Sequence, residues 1–285
     1  LNPLINIEYP ASQKDFFGIK MLLHAMLNGK TKTKQAYAEG QYDFPKGLHF
    51  GGHKLEKGPF CFIDWLKAHL GDVKDCVWTD LHTGLGESGE DSLLVDLAPE
   101  HEKFINLKEQ PFGNRIMSLD PTAGVAYKIR GGMQKGIGLL FPNTSWTSIT
   151  QEFGTIKSVN VIKALRAENS WTHYGNLKNS SLLNHWSKKD VLNAFRPQDK
   201  SWEEKIENRG NILFQQSMDY LSQWTRVNWW QEVWRGYAFG VPEPCNEPKN
   251  YTPNEPATII IWQQTKHILN LPPSAIPTEE LSSGI

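Results

Sequence analysis

The sequence predicts an α/β fold, and three observations carry that expectation. Runs with β-type composition, Cys76–His82, Leu93–Leu97 and Thr144–Phe153, alternate along the chain with segments of helical character. Glycines stand directly after several of these segments, at 29, 71 and 154, and one residue beyond the Cys76–His82 run, at 84, where a chain that must turn back on itself needs conformational freedom. With 285 residues, 39% of them hydrophobic, the chain can bury one large core and still carry a tail.

Taken in order, Gln13–Asn28 clusters apolar residues ahead of Gly29 and reads as a helix with a glycine stop, its His24 packed. Gly40–Gly58 is broken by Gly and Pro and predicts an ordered surface loop. A short helix follows over Phe60–Leu70, closed by Gly71, before the first strand at Cys76–His82 and a second near Leu93–Leu97. Glu100–Phe141 lacks a clear period and predicts loops around short elements. Thr144–Phe153 is rich in Thr, Ile, Trp and Phe and alternates as a strand does, with Gly154 closing it. Ser158 is placed to cap a helix through Asn169, and Ser201 with Glu204 forms a capping-box pattern opening a long helix toward Trp234. The tryptophans at 202, 224, 229, 230 and 234 along it read as aromatic packing onto the main domain. The domain is expected over residues 1–236, followed at 237–285 by a Pro/Asn-rich linker and C-terminal extension, in which Ala257–Leu271 docks as one more strand or helix.

Composition narrows the functions. The 30 basic and 31 acidic residues leave a formal net charge of −1, so no global positive field draws in nucleic acid. No apolar run spans a bilayer and no leader pattern opens the chain, so neither a membrane nor nucleic acid is expected as a partner. Three widely spaced cysteines, Cys61, Cys76 and Cys245, argue against a disulfide framework and a thiolate zinc site, and for a reducing, cytoplasmic setting.

The chemistry concentrates in two places. In VWTDLHTGLGESG, Val77–Gly89, strand alternation turns Asp80 and His82 to the same face, so the carboxylate can orient the imidazole, and the glycines that follow admit close backbone approach. That suits a metal ligand or a base; a hydrogen-bonded structural histidine is the plainer role. In QEFGT, 151–155, Glu152 ends the predicted Thr-rich strand, 70 positions after His82. Functional groups of mostly parallel sheets gather beyond the carboxyl ends of strands, so the two side chains are expected to face one crevice, where His and Glu together suit metal-assisted hydrolysis.

Four segments, GQYDFPKGLHFGG at 40–52, DLHTGLG at 80–86, TQEFGT at 150–155 and ALRAEN at 164–169, together resemble an uncharacterised branch of the carboxypeptidase A-like zinc metallopeptidase superfamily, over roughly Asn2 to Leu221. The resemblance implies a three-layer α/β/α fold with a mixed, mostly parallel sheet of about eight strands. It implies that His82 is a zinc ligand and that Glu152 activates the attacking water and protonates the leaving amine. It also implies a peptide or a small N-acyl amino acid as substrate. The superfamily's upstream H-x-x-E motif and Asn-Arg pair are not found before His82. The literal His53-Lys54-Leu55-Glu56 lies in the Gly-rich loop and is set aside as chance.

The chain is therefore expected to be the C-terminal part of a longer zinc-dependent amide hydrolase, with Leu1 in place of an initiator methionine. The alternative is an inactive relic that binds a partner through its Gly-rich crevice or Trp-rich helix. Arg115, Arg130 and Arg166 are candidate anion contacts, Arg166 the best placed, although ion pairing is the commoner role for each.

Overall fold

A computed structural model describes residues 2–71, 73–119, 132–175, 184–222 and 259–263. Its centre is a mixed sheet of order β3-β2-β4-β1-β5, formed by β1 (Asp75–Ser88), β2 (Asp91–Val95), β3 (Ile116–Ser118), β4 (Ser145–Gly154) and β5 (Ile259–Gln263). β4 runs parallel to β1, β5 parallel to β1, and β3 parallel to β2, while β2 meets β4 antiparallel. The predicted α/β class and mixed, mostly parallel sheet are thus both present.

Alternation along the strands sorts the core into two layers. Cys76 and Trp78 of β1 project to one face, where they pack with Leu66 and Leu70 from α4 (Lys57–His69) and its C-terminal turn, and with Ile137 of α6 (Met133–Leu140). Ile149 of β4 and Leu93 and Val95 of β2 project to the other face, against Phe104 and Leu107 of α5 (Glu102–Glu109) and Leu213 of α9 (Lys200–Ser222). Helices therefore cover both faces of the sheet, each burying an apolar stripe that water would otherwise contact.

A third cluster lies off the sheet. There α7 (Ser158–Tyr174) supplies Ile162 against Ile5 of α1 (Asn2–Ile5), Phe17 and Met21 of α2 (Phe17–Asn28), and Leu48 of the following loop. Arg166 of α7 fixes this corner. Its guanidinium donates from Nε to the Leu4 carbonyl at 2.7 Å and from Nη1 to Asp15 Oδ2 at 2.6 Å, and it lies 5.0 Å from the centre of the Phe17 ring. At 2% exposure it is a buried anchor. Arg166→Met should cost roughly 3–5 kcal/mol, because the largely buried Asp15 loses its partner. Chemical denaturation measures it, and a loss below 1 kcal/mol would show that water already screens the pair.

Several elements depart from the sequence reading. The helix expected from Gln13 is α2 and begins at Phe17, and Gly29, at φ 87°, joins it directly to α3 (Lys30–Ala38), a helix the lysine-rich sequence does not announce. Ser158 is the first residue inside α7, with Lys157 at the capping position and no side-chain cap. The start of α9 is held by Asp199, whose Oδ1 accepts from Ser201 N at 2.9 Å, so Ser201 is a donor there and not the cap. The described parts of residues 100–141, namely 100–119 and 132–141, hold α5, the short strand β3 and α6. Ile259–Gln263 is a strand, as one of the two expectations for Ala257–Leu271 had it. The expected helix beyond Ser222, its last four tryptophans and the 241–256 linker fall outside the described residues.

Candidate active site

His82 and Glu152 sit opposite one another in the β1–β4 register. Paired residues on neighbouring strands point to the same face, so the parallel ladder alone brings the imidazole to the carboxylate. His82 Nδ1 lies 3.8 Å from Glu152 Oε2, and His82 Nε2 lies 3.0 Å from Asp80 Oδ2. Asp80, two residues earlier, shares the face by the period of the strand. The expected proximity of residues 82 and 152, and the contact of Asp80 with the imidazole, are both present.

Just past this point β1 leaves regular pairing. The register breaks between Thr83 and Ser88, and the chain turns through Gly84 and Gly86, both at positive φ, to cross the end of β4. Two consequences follow for the site. The turn brings the Leu85 amide into reach, and it donates to Glu152 Oε1 at 2.9 Å. The turn also packs against Gly154, where a Cβ would meet Glu87 O at 1.9 Å. Gly154 N donates to Glu90 O at 2.9 Å, and the Gly154 carbonyl accepts from Gly89 N at 3.0 Å and from the Trp202 indole at 2.8 Å. Leu85 N is the group at the site that sequence reasoning missed; Trp202 packs onto the main domain as expected, its place beside Gly154 being what the sequence does not give. A backbone amide has no side-chain signature, and Trp202 looks like any other aromatic of its helix.

The electrostatics of the pair follow from burial and hydrogen bonding. Glu152 has only 10% of its side chain exposed, and burial pushes its carboxyl up to about 7; the Leu85 hydrogen bond and His82 oppose that rise without cancelling it. His82 is also raised from its ordinary value, first by the hydrogen bond to Asp80, then by the charges of Asp80 and Glu152, against the effect of burial. With 49% of its side chain exposed, His82 keeps broad contact with solvent, while Glu152 keeps little. A carboxyl near neutrality beside a half-exposed imidazole can take a proton from water and return it to a leaving group at physiological pH.

The other sequence candidates lie apart from this chemistry. Arg115 donates to Asp91 Oδ2 and to Gln216 Oε1, each at 2.6 Å, tying β2 to α9; like Arg166 it is committed to structure. Arg130 lies outside the described residues. His53 packs its ring 5.0 Å from that of Phe50 in the 40–56 loop. Cys61 and Cys76 are thiols, and burial pushes Cys76 up to about 12, which makes it inert as a nucleophile.

A zinc ion was expected at His82, and the donor set fits one corner of such a centre. With Nε2–H given to Asp80, the imidazole presents Nδ1 as a neutral donor, the arrangement that orients many histidine ligands. A catalytic zinc takes three protein ligands, however, and among the described residues no group of three or more His, Cys, Asp or Glu side chains is placed to hold a metal. The residues described here do not by themselves make the site.

Fold and site thus define an α/β domain that presents an Asp–His–Glu cluster at the carboxyl ends of two parallel strands. The chain belongs to the family described as "Protein of unknown function (DUF2817)", whose model matches residues 1–209. No curated protein and no solved structure matches the chain. The match covers β1 and β4, which carry the site, and the first part of α9 with Trp202.

Proposed function

We propose that this domain is the catalytic portion of an amide hydrolase related to the carboxypeptidase A-like zinc metallopeptidases. The reading rests on one observation: Glu152 is buried, tuned to about 7, and held opposite His82 on the neighbouring strand. The resemblance of DLHTGLG and TQEFGT to that superfamily supports it independently. Glu152 acts as general base, taking a proton from the attacking water. As the C–N bond breaks, it passes that proton to the departing amine. Asp80 holds the imidazole through Nε2, and Leu85 N fixes one oxygen of Glu152 so that the other, Oε2, faces His82 and the reacting water. Should a metal bind, His82 Nδ1 would be one ligand and the metal would polarise the scissile carbonyl.

Suitable substrates are a peptide with a free C-terminal carboxylate or a small N-acyl amino acid. The experiment is hydrolysis of both classes by the natural full-length protein, with metal content measured alongside. Release of amine from either class, together with loss of bound zinc in His82→Ala, is the expected result. Zinc retained at full stoichiometry in His82→Ala would remove that residue from the ligand set. No hydrolysis of either class by zinc-loaded protein would leave a binding function for the crevice.

A further inference from the structure

The α2–α3 hairpin carries a feature that the site does not use. In α2 the buried side chains Phe17 and Met21 face the core, yet the opposite side of the same helix is also apolar. Ile19, Leu22, Leu23, Met26 and Leu27 follow helical spacing, with Phe16 just before them, and all six are exposed, Phe16 by 69%, Met26 by 73% and Leu27 by 84%. Isolated exposed leucines are ordinary, but a continuous exposed stripe on a helix that is apolar on both sides marks a surface that meets something.

Charge specifies the occupant. The whole chain has a formal net charge of −1, whereas Asp15–Glu39 contains four lysines and two carboxylates, one at each end, with Glu39 accepting from Gln35 Nε2 at 3.0 Å. Lys30 and Lys32 are exposed. The nearest upstream acid, Asp15, is held by Arg166 at 2.6 Å, with Lys20 3.9 Å away. A partner must therefore offer both an apolar interior and negative charge at its surface. We propose that the outer face of α2 docks on an anionic lipid surface, with Met26 and Leu27 entering the acyl boundary and Lys30 and Lys32 lying among the headgroups. No described helix is long and apolar enough to cross a membrane, so the contact is one of lying on the surface.

Cosedimentation with vesicles tests this, using the full chain and vesicles of phosphatidylcholine alone or with 30 mol% phosphatidylserine, at low and high salt. The expected result is at least tenfold tighter binding to the anionic vesicles, weakened by salt. Leu23→Glu/Leu27→Glu should abolish binding. Lys30→Glu/Lys32→Glu should weaken it by about fivefold or more per lysine. All four positions are exposed or at the surface, and an unchanged circular dichroism spectrum shows that the variants fold. Equal binding to neutral and anionic vesicles would overturn the proposal. So would concentration-dependent dimerisation that Leu23→Glu/Leu27→Glu abolishes without any vesicle binding, which would assign the face to a second copy.

Discussion

Glu152→Gln is expected to raise the stability of the folded domain at pH 8 while lowering any hydrolytic turnover by about a hundredfold or more. Most substitutions at a buried charged residue destabilise, so the sign is diagnostic. The Glu152 carboxyl is pushed from an ordinary 4.5 to about 7 by burial, which means that the folded state holds its proton more tightly than the unfolded chain does. The contribution of that proton to stability is fully present below pH 4.5 and is lost as pH rises through about 7. Above that, folding must keep a carboxylate out of water. The full difference corresponds to about 3 kcal/mol, and incomplete replacement of interactions in the variant reduces the gain to about 1–3 kcal/mol. Gln is suited to the site. Its oxygen still accepts from Leu85 N, and its amide can donate toward His82 Nδ1, 3.8 Å from the present carboxylate. His82, also raised, acts with the same sign: its contribution is complete below 6.5 and fades above. Thermal unfolding of both proteins between pH 4 and 8.5 reads the effect. The curves should coincide at the acid end and separate by roughly 3–10 °C at the alkaline end. A variant less stable than the parent at pH 8 would show that burial does not raise the Glu152 carboxyl above its ordinary value, and its role as a base tuned to neutrality would fall.

Much of this site was legible before any coordinates. The Asp80–His82 spacing fixes a shared face once the segment is a strand, and Glu152 at the end of a Thr- and Ile-rich run follows from the same period. That the two strands are neighbours is not local information. It depends on β4 taking the central place between β1 and β2, and the antiparallel entry of β2 has no signature in the Asp91–Val95 sequence. Helix starts were misread for a physical reason. Ser158 and Ser201 are competent caps, but the turns before them are set by the chain leaving β4 and by Asp199, which captures the Ser201 amide first. Arg166 looked like an anion contact beside the site because ALRAEN follows Glu152 closely. One helix length turns it away, toward Leu4 and Asp15. The lysines of Phe16–Ala38 escaped notice because an overall balance of charge hides a local excess.

Gly154→Ala should be the most damaging Gly→Ala change among the described glycines. Two arms of the site meet at this residue: β4, which carries Glu152, and the tail of β1, which carries Leu85. A Cβ there would lie 1.9 Å from Glu87 O and 2.4 Å from Glu87 C, and both are backbone atoms that no rotamer change can move. The β1 tail must therefore lift away. Lifting it puts at risk the Gly154 N to Glu90 O and Gly89 N to Gly154 O hydrogen bonds and the Trp202 contact, each worth about 1 kcal/mol, on top of about 1–3 kcal/mol for the overpacking itself. A loss of about 4–6 kcal/mol and a fall in Tm of roughly 8–20 °C are expected. Gly136→Ala in α6 supplies the contrast, since nothing lies within 4 Å of its added methyl and alanine favours a helix interior by about 0.5–1 kcal/mol. The site should respond as well. Once the tail lifts, the Leu85 amide no longer restrains Glu152, so turnover should fall even at temperatures where Gly154→Ala stays folded. Hydrogen exchange at the Leu85 and Gly89 amides separates this local release from global unfolding, because both should lose protection before the amides of the β1–β4 ladder. A Gly154→Ala protein within 2 °C of the parent, with those amides still protected, would mean that the β1 tail does not cross β4 as closely as the 1.9 Å approach requires.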